Sequence, residues 1–145
     1  MIPTNAINLA KLFEGFRAHP YTCPAGVATV GYGSTHYPDG TKVNLSDDSI
    51  SIEKAETLLI GELGRNVSSA IRLCPVLLMN EDRLGAIADF VYNLGAGRLQ
   101  ASTLRRRINQ QDWPETRKEL MRWVRGGGRI LPGLVRRRAA EASFI

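Results

Sequence analysis

Apolar residues recur along this chain in two different rhythms. Ala6, Leu9, Ala10 and Phe13, with Arg17 one turn further on, repeat at spacings of three and four, which is one face of a helix. Thr4 or Asn5 serves as its N-cap. The helix is expected to end by His19-Pro20, because the residue before a proline is pushed out of helical geometry. From Tyr21 to Leu45 the rhythm changes. Pro24-Ala-Gly26 and Pro38-Asp-Gly40 are turn signals, and Val27–Tyr32 between them reads as a strand. A small antiparallel sheet of two or three strands is expected there.

The remainder reads as helices. Ser51 caps a long one whose apolar positions are Ala55, Leu58, Leu59, Leu63, Val67, Ala70 and Ile71, running until Cys74-Pro75. Asn80 caps a second, with Leu84, Ile87, Ala88, Val91 and Leu94 on one face and Gly95 as its stop. Ser102 starts a short helix through Ile108, and Pro114 sits in the first turn of another that runs to Gly126-Gly-Gly128. A last helix covers about Gly133 to Phe144. The expected fold is α+β: one domain over 1–145, with a small β lobe at about 18–50 and a helical lobe from 1–17 and 51–145.

Composition narrows the class. A chain of 145 residues, 43% hydrophobic and 23% charged, buries roughly 70% of its unfolded surface and needs no staple to fold. Collagen-like, disordered and disulfide-scaffold classes are excluded. Nineteen Lys and Arg against fourteen Asp and Glu give a net charge of +5 and a pI near 9.6, which favours an anionic partner: nucleic acid, acidic lipid or cell wall. Cys23 and Cys74 read as free thiols of a reducing compartment. The first twenty residues lack the pattern of a signal peptide, and no stretch approaches the ~20 apolar residues of a membrane span. The expected location is therefore a cytosol, short of an export segment upstream.

The first candidate for chemistry is Glu14, at the edge of the apolar stripe beside Phe13, and the only carboxylate before Asp39. Burial against aromatic and aliphatic side chains disfavours a charged carboxylate, which suits a general acid near neutral pH. Cys23 follows nine residues later and Thr29 six after that, inside Thr29-Val-Gly-Tyr-Gly-Ser-Thr35. A helix ending in an acid and folded back on a hairpin puts acid and hairpin residues on opposite walls of a cleft. Glycines at 31 and 33 would let a bulky ligand approach the backbone. Glycosidic cleavage uses such a layout, one group protonating the leaving oxygen while others place a water or nucleophile.

At these residues the chain resembles the phage-type lysozymes, the endolysins of glycoside hydrolase family 24. Their signature is Glu, eight residues, Asp or Cys, five residues, Thr, matched by Glu14, Cys23 and Thr29. Phe13-Glu-Gly-Phe16, Cys23-Pro-Ala-Gly26 and Thr29-Val-Gly-Tyr-Gly33 look like the first motif block. Asp89-Phe-Val-Tyr-Asn-Leu-Gly-Ala-Gly97 with Ser102-Thr-Leu104 looks like the central one. Trp123, Gly127-Gly128 and Gly133-Leu-Val-Arg-Arg-Arg138 with Glu141 look like the last. The resemblance implies a lysozyme-like fold and hydrolysis of the β-1,4 bond between N-acetylmuramic acid and N-acetylglucosamine in peptidoglycan, with no cofactor.

In that frame Glu14 is the general acid and Thr29 helps hold the attacking water. Cys23 stands where the best-known members carry aspartate, and residues 15–38 offer no other carboxylate. A thiol is a weaker base at neutral pH and a better nucleophile once ionised. It is open to orienting water with Thr29 (giving inversion), to attacking the anomeric carbon, to shaping the cleft, or to a redox role with Cys74. Tyr92 and Asn93, with Thr35 and Thr103, match positions lining the saccharide cleft. One of Arg136, Arg137 and Arg138 is implied to face Glu14; otherwise the run reads as a solvated basic face. Trp113 and Trp123 read as core, and His19 and His36 make a poor metal site, so no metal is expected.

Two other functions fit parts of the pattern. A lytic transglycosylase cuts the same bond with one glutamate and no water. A nucleic-acid-binding module would use Arg105-Arg-Arg107 and Arg136-Arg-Arg138, but the chain has no helix-turn-helix spacing, zinc ligands or aromatic RNA motif. The expected partner is the glycan strand, with no nucleic acid and no stable membrane insertion. The expected state is a monomer held in the host cytoplasm until a holin releases it to the cell wall.

Overall fold

A computed structural model describes all 145 residues. The chain is α+β, with seven α-helices and two small antiparallel sheets. Helix α1 spans Thr4–Glu14. It stops there because Gly15 adopts φ +70° and turns its N–H back to the Lys11 carbonyl at 3.0 Å, a left-handed cap that suits glycine. Strand β1, Arg17–Thr22, follows at once and pairs antiparallel with β2, Ala28–Gly31. The helix thus ends earlier than its apolar rhythm suggests. Arg17 belongs to the strand, its guanidinium 4.3 Å from the Tyr21 ring centroid. Pro20 lies where the ladder register shifts, so its missing N–H removes no regular bond.

The chain divides into two compact units, Ala10–Glu62 and Met1–Leu9 with Leu63–Ile145; the boundaries fall inside α1 and α2. In the first, Pro24-Ala-Gly26 closes the hairpin as expected. Gly26 N–H reaches the Cys23 carbonyl at 2.8 Å, and Cys23 N–H reaches the Val27 carbonyl at 3.0 Å. Beyond β2 the chain makes single bridges, Val30 to Ser34 and His36 to Lys42, around the Pro38-Asp-Gly40 turn. Ser51 Oγ accepts the Lys54 N–H at 3.1 Å and starts α2, Ile52–Leu73. Val30, Tyr32, Val43, Ile50, Ala55, Leu58 and Leu59 form the apolar interior.

Gly31 is central to that packing. Its φ is +67°, and a Cβ added there would stand 3.0 Å from the Ala55 Cβ and 3.4 Å from Ile50 Cδ1. It lets the hairpin sit on α2, so its role is helix packing and not the ligand approach read from the sequence. Gly31→Ala is expected to lower stability by about 2–4 kcal/mol, adding left-handed strain to overpacking. A lower urea midpoint with unchanged slope would show it; an unshifted midpoint would refute this account.

In the second unit a 3-10 helix at Pro75–Met79 leads to α3, Glu81–Leu94. Asn80 Oδ1 accepts the Arg83 N–H at 3.0 Å, the expected cap. Every residue from Leu84 to Val91 is buried, not one face only, because α4, α7 and the 3-10 helix all pack on α3. Helix α4, Ala96–Gln100, is absent from the sequence pattern. Ser102 caps α5, Thr103–Asn109, and Asp112 caps α6, Trp113–Leu120. Helix α6 stops well before the glycines. Strands β3, Arg125–Gly126, and β4, Arg129–Ile130, take their place, with Gly127 and Gly128 at φ +58° and +80° in the turn. Helix α7 is Pro132–Ala142.

Candidate active site

The hairpin's pleat assembles the chemistry. Thr29 is the cross-strand partner of Tyr21, so the two share a face of the hairpin, and Cys23 follows just past the end of β1. Thr29 is almost fully buried and its Oγ1 donates to the Val27 carbonyl at 2.9 Å. The Cys23 thiol lies beside that hydroxyl. Cys23 is half-buried and free. The Val27 N–H foremost, then the Ala25 N–H, hold its thiol below the ordinary value by stabilising the thiolate; burial works the other way.

Glu14 is half-buried at the last position of α1. Its charge reaches Tyr21, whose phenol is raised first by burial and then by the Glu14 carboxylate, against Arg17. Tyr21 therefore ties the acid to the Cys23 and Thr29 pair. The motif alone does not name it; the available signal is its place two residues before Cys23 in a strand. Thr35 lies in the same unit, its hydroxyl 2.9 Å from His36 Nδ1.

A family model described as phage lysozyme matches residues 11–141. The chain belongs to the phage lysozyme family. The endolysin of Bacillus phage B103 is 36% identical over 96% of this chain and 51% of its own length. This chain thus spans about half of that relative. The endolysin of Acyrthosiphon pisum secondary endosymbiont phage 1 is 33% identical, covering 99% of this chain and 97% of its own. The solved endolysin from Escherichia coli O157:H7 phage FAHEc1 is 26% identical, covers 99% of this chain and 92% of its own, and superposes with a TM-score of 0.88. Family, relatives and fold agree on an endolysin with lysozyme-type glycoside hydrolase chemistry. They do not favour the transglycosylase or the nucleic-acid module.

The family's other expected positions, Tyr92, Asn93 and Thr103, belong to the second unit. Tyr92 and Asn93 are half-buried in the last turn of α3, and Asn93 Oδ1 accepts from Arg138 Nη2 at 2.7 Å. Thr103 lines a groove of about 640 Å³ together with Arg98, Glu119, Arg122 and Trp123. Trp123 is only partly core: Phe90 meets it edge-on at 5.6 Å, yet it is half-buried and faces this groove. Trp113 is half-buried too, with the Arg83 guanidinium 3.9 Å from its ring centroid.

The basic run is not a solvated face. Arg136 is exposed, but Arg137 and Arg138 are buried. Arg137 pairs with Asp89, and Arg138 with Glu141. The sequence motifs contain both carboxylates but not their pairing with the arginines; the available signal is an aspartate inside the apolar run Ala88-Asp-Phe-Val91. In the other triplet, Arg105 donates to the Leu73 carbonyl at 3.0 Å and Arg107 to Gln110 at 3.2 Å. Cys74 is fully buried and its thiol is pushed up to about 11 by burial, so it is inert at neutral pH. No helix is long and apolar enough to cross a membrane.

Proposed function

We propose that this domain hydrolyses the β-1,4 bond between N-acetylmuramic acid and N-acetylglucosamine in bacterial peptidoglycan, with Glu14, Cys23 and Thr29 as its catalytic residues. The observation that carries this reading is the pairing of Tyr21 with Thr29 across the hairpin beside Cys23, with the Glu14 charge reaching Tyr21. Glu14 protonates the leaving glycosidic oxygen. Because the Thr29 hydrogen is committed to the Val27 carbonyl, its oxygen is left to accept from a water, and Cys23 as thiolate takes that water's proton. Attack by this water inverts the anomeric centre. Tyr92, Asn93, Thr35 and Thr103 contact the saccharide in this reading.

The reading extends to cell biology: the chain acts as a monomer, waits in the host cytoplasm and reaches the wall when a holin opens the membrane. Purified peptidoglycan digested with the protein is expected to yield reducing N-acetylmuramic acid ends. Anhydro-muramyl ends would instead indicate a transglycosylase, and no cleavage would remove the assignment. In cells, lysis on expression is expected only with a co-expressed holin.

A further inference from the structure

The unit formed by Met1–Leu9 and Leu63–Ile145 buries four charged side chains. Asp89 on α3 and Arg137, Arg138 and Glu141 on α7 are each at most 4% exposed. Arg137 grips Asp89 through Nε and Nη2 at 2.9 and 2.8 Å. Arg138 Nη2 donates to Glu141 Oε1 at 2.9 Å, and its Nε stands 2.8 Å from Glu141 Oε2 as an ion pair without a hydrogen bond. Burial foremost, and then the neighbouring Asp89 carboxylate, push Glu141 well above the ordinary carboxylate range. Stability does not explain such a network, since apolar side chains of similar volume often serve as well or better.

The network does fix a direction. Arg138 Nη2 also donates to Asn93 Oδ1 at 2.7 Å. A guanidinium carries donors and no acceptor, so the end of the Asn93 amide that faces it must be oxygen. Glu141 and the Phe90 ring, 5.0 Å from the guanidinium carbon, hold Arg138 in place. Asn93 is half-buried, and its Nδ2, at the other end of the amide, makes no hydrogen bond within the chain.

We propose that Arg138, held by Glu141, is a positioning residue that makes Asn93 a donor-only contact, selecting a hydrogen-bond acceptor on the glycan such as the carbonyl oxygen of a sugar acetamido group. This rests on the muramidase reading above and adds the polarity of one contact to it. Asn93→Asp keeps the shape, gives Arg138 a charged partner and removes both N–H donors. Its affinity for N-acetylglucosamine hexasaccharide, measured by calorimetry, is expected to fall about tenfold or more while Tm holds or rises. Arg138→Lys, still donor-only, is expected to keep wild-type KM; Arg138→Gln, whose amide also accepts, is expected to raise KM with little change in kcat.

Wild-type protein labelled with 15N supplies a readout that needs no folded variant: the Asn93 side-chain NH2 signals are expected to shift when the hexasaccharide is added. Equal affinity of Asn93→Asp and wild type would overturn the proposal, as would unmoved Asn93 NH2 signals while others shift. A wild-type KM for a folded Arg138→Gln would overturn the part assigned to Arg138. If folded wild type binds neither the hexasaccharide nor solubilised peptidoglycan, the muramidase reading itself fails, and the inference with it.

Discussion

Glu14→Gln is expected to lower kcat for release of reducing ends from peptidoglycan by about 10²–10⁴-fold, the usual contribution of a positioned general acid. The amide has nearly the carboxyl's shape but cannot deliver a proton to the leaving oxygen, so the loss falls on kcat and little on KM. Glu14 is half-buried at a helix end, and the substitution is expected to leave Tm close to wild type. Clearance of outer-membrane-permeabilised Gram-negative cells offers a second readout. If Glu14→Gln still cleared them at full rate, Glu14 would not be the acid, and lysis would have to arise from basic helices acting on membranes.

The second large effect is at Cys23, read from the pH dependence of kcat/KM. A base must be deprotonated to work, so activity is expected to rise with pH through the Cys23 titration. That rise is expected below the range of an ordinary thiol, because the Val27 and Ala25 N–H groups favour the thiolate. Cys23→Ala is expected to reduce the rate about 10²-fold and to abolish this limb. Cys23→Asp is expected to restore activity with the limb moved down to about pH 4, where a carboxylate titrates. Near-normal activity of Cys23→Ser with an unchanged limb would remove the thiol as base and as nucleophile. The anomeric configuration of the first product separates these two roles, inversion marking the base and retention the nucleophile.

Much of this was legible in the chain because the signals are local. Ser51, Asn80 and Ser102 each accept the N–H three residues ahead, so the cap and its target lie within one turn. The Pro24-Ala-Gly26 turn closes through bonds spanning three or four residues. The spacing of Glu14, Cys23 and Thr29 is the length of a helix end, one strand and a tight turn, which is why it survives as a pattern. Where local signals were read too far, a competing local rule decided. The left-handed Gly15 ends α1 before proline can, and α6 stops at Leu120, short of the expected glycines, because the chain around Gly127-Gly128 pairs as a hairpin.

Taken by itself, then, the sequence determined the α+β class, the capped helices, the hairpin and the spacing of Glu14, Cys23 and Thr29, all of them products of backbone geometry over a few residues. Only the tertiary structure decided what the side chains meet. It placed Ala55 against Gly31, turned Arg137 and Arg138 inward and tied the Glu14 charge to Tyr21. It also gave the Asn93 amide its direction. Arg137 and Asp89 are 48 residues apart, and Arg138 and Asn93 are 45 apart. At such separations no periodicity connects the partners. An arginine that pattern alone assigns to solvent is buried because packing of α7 on α3 brings its counter-charge to it.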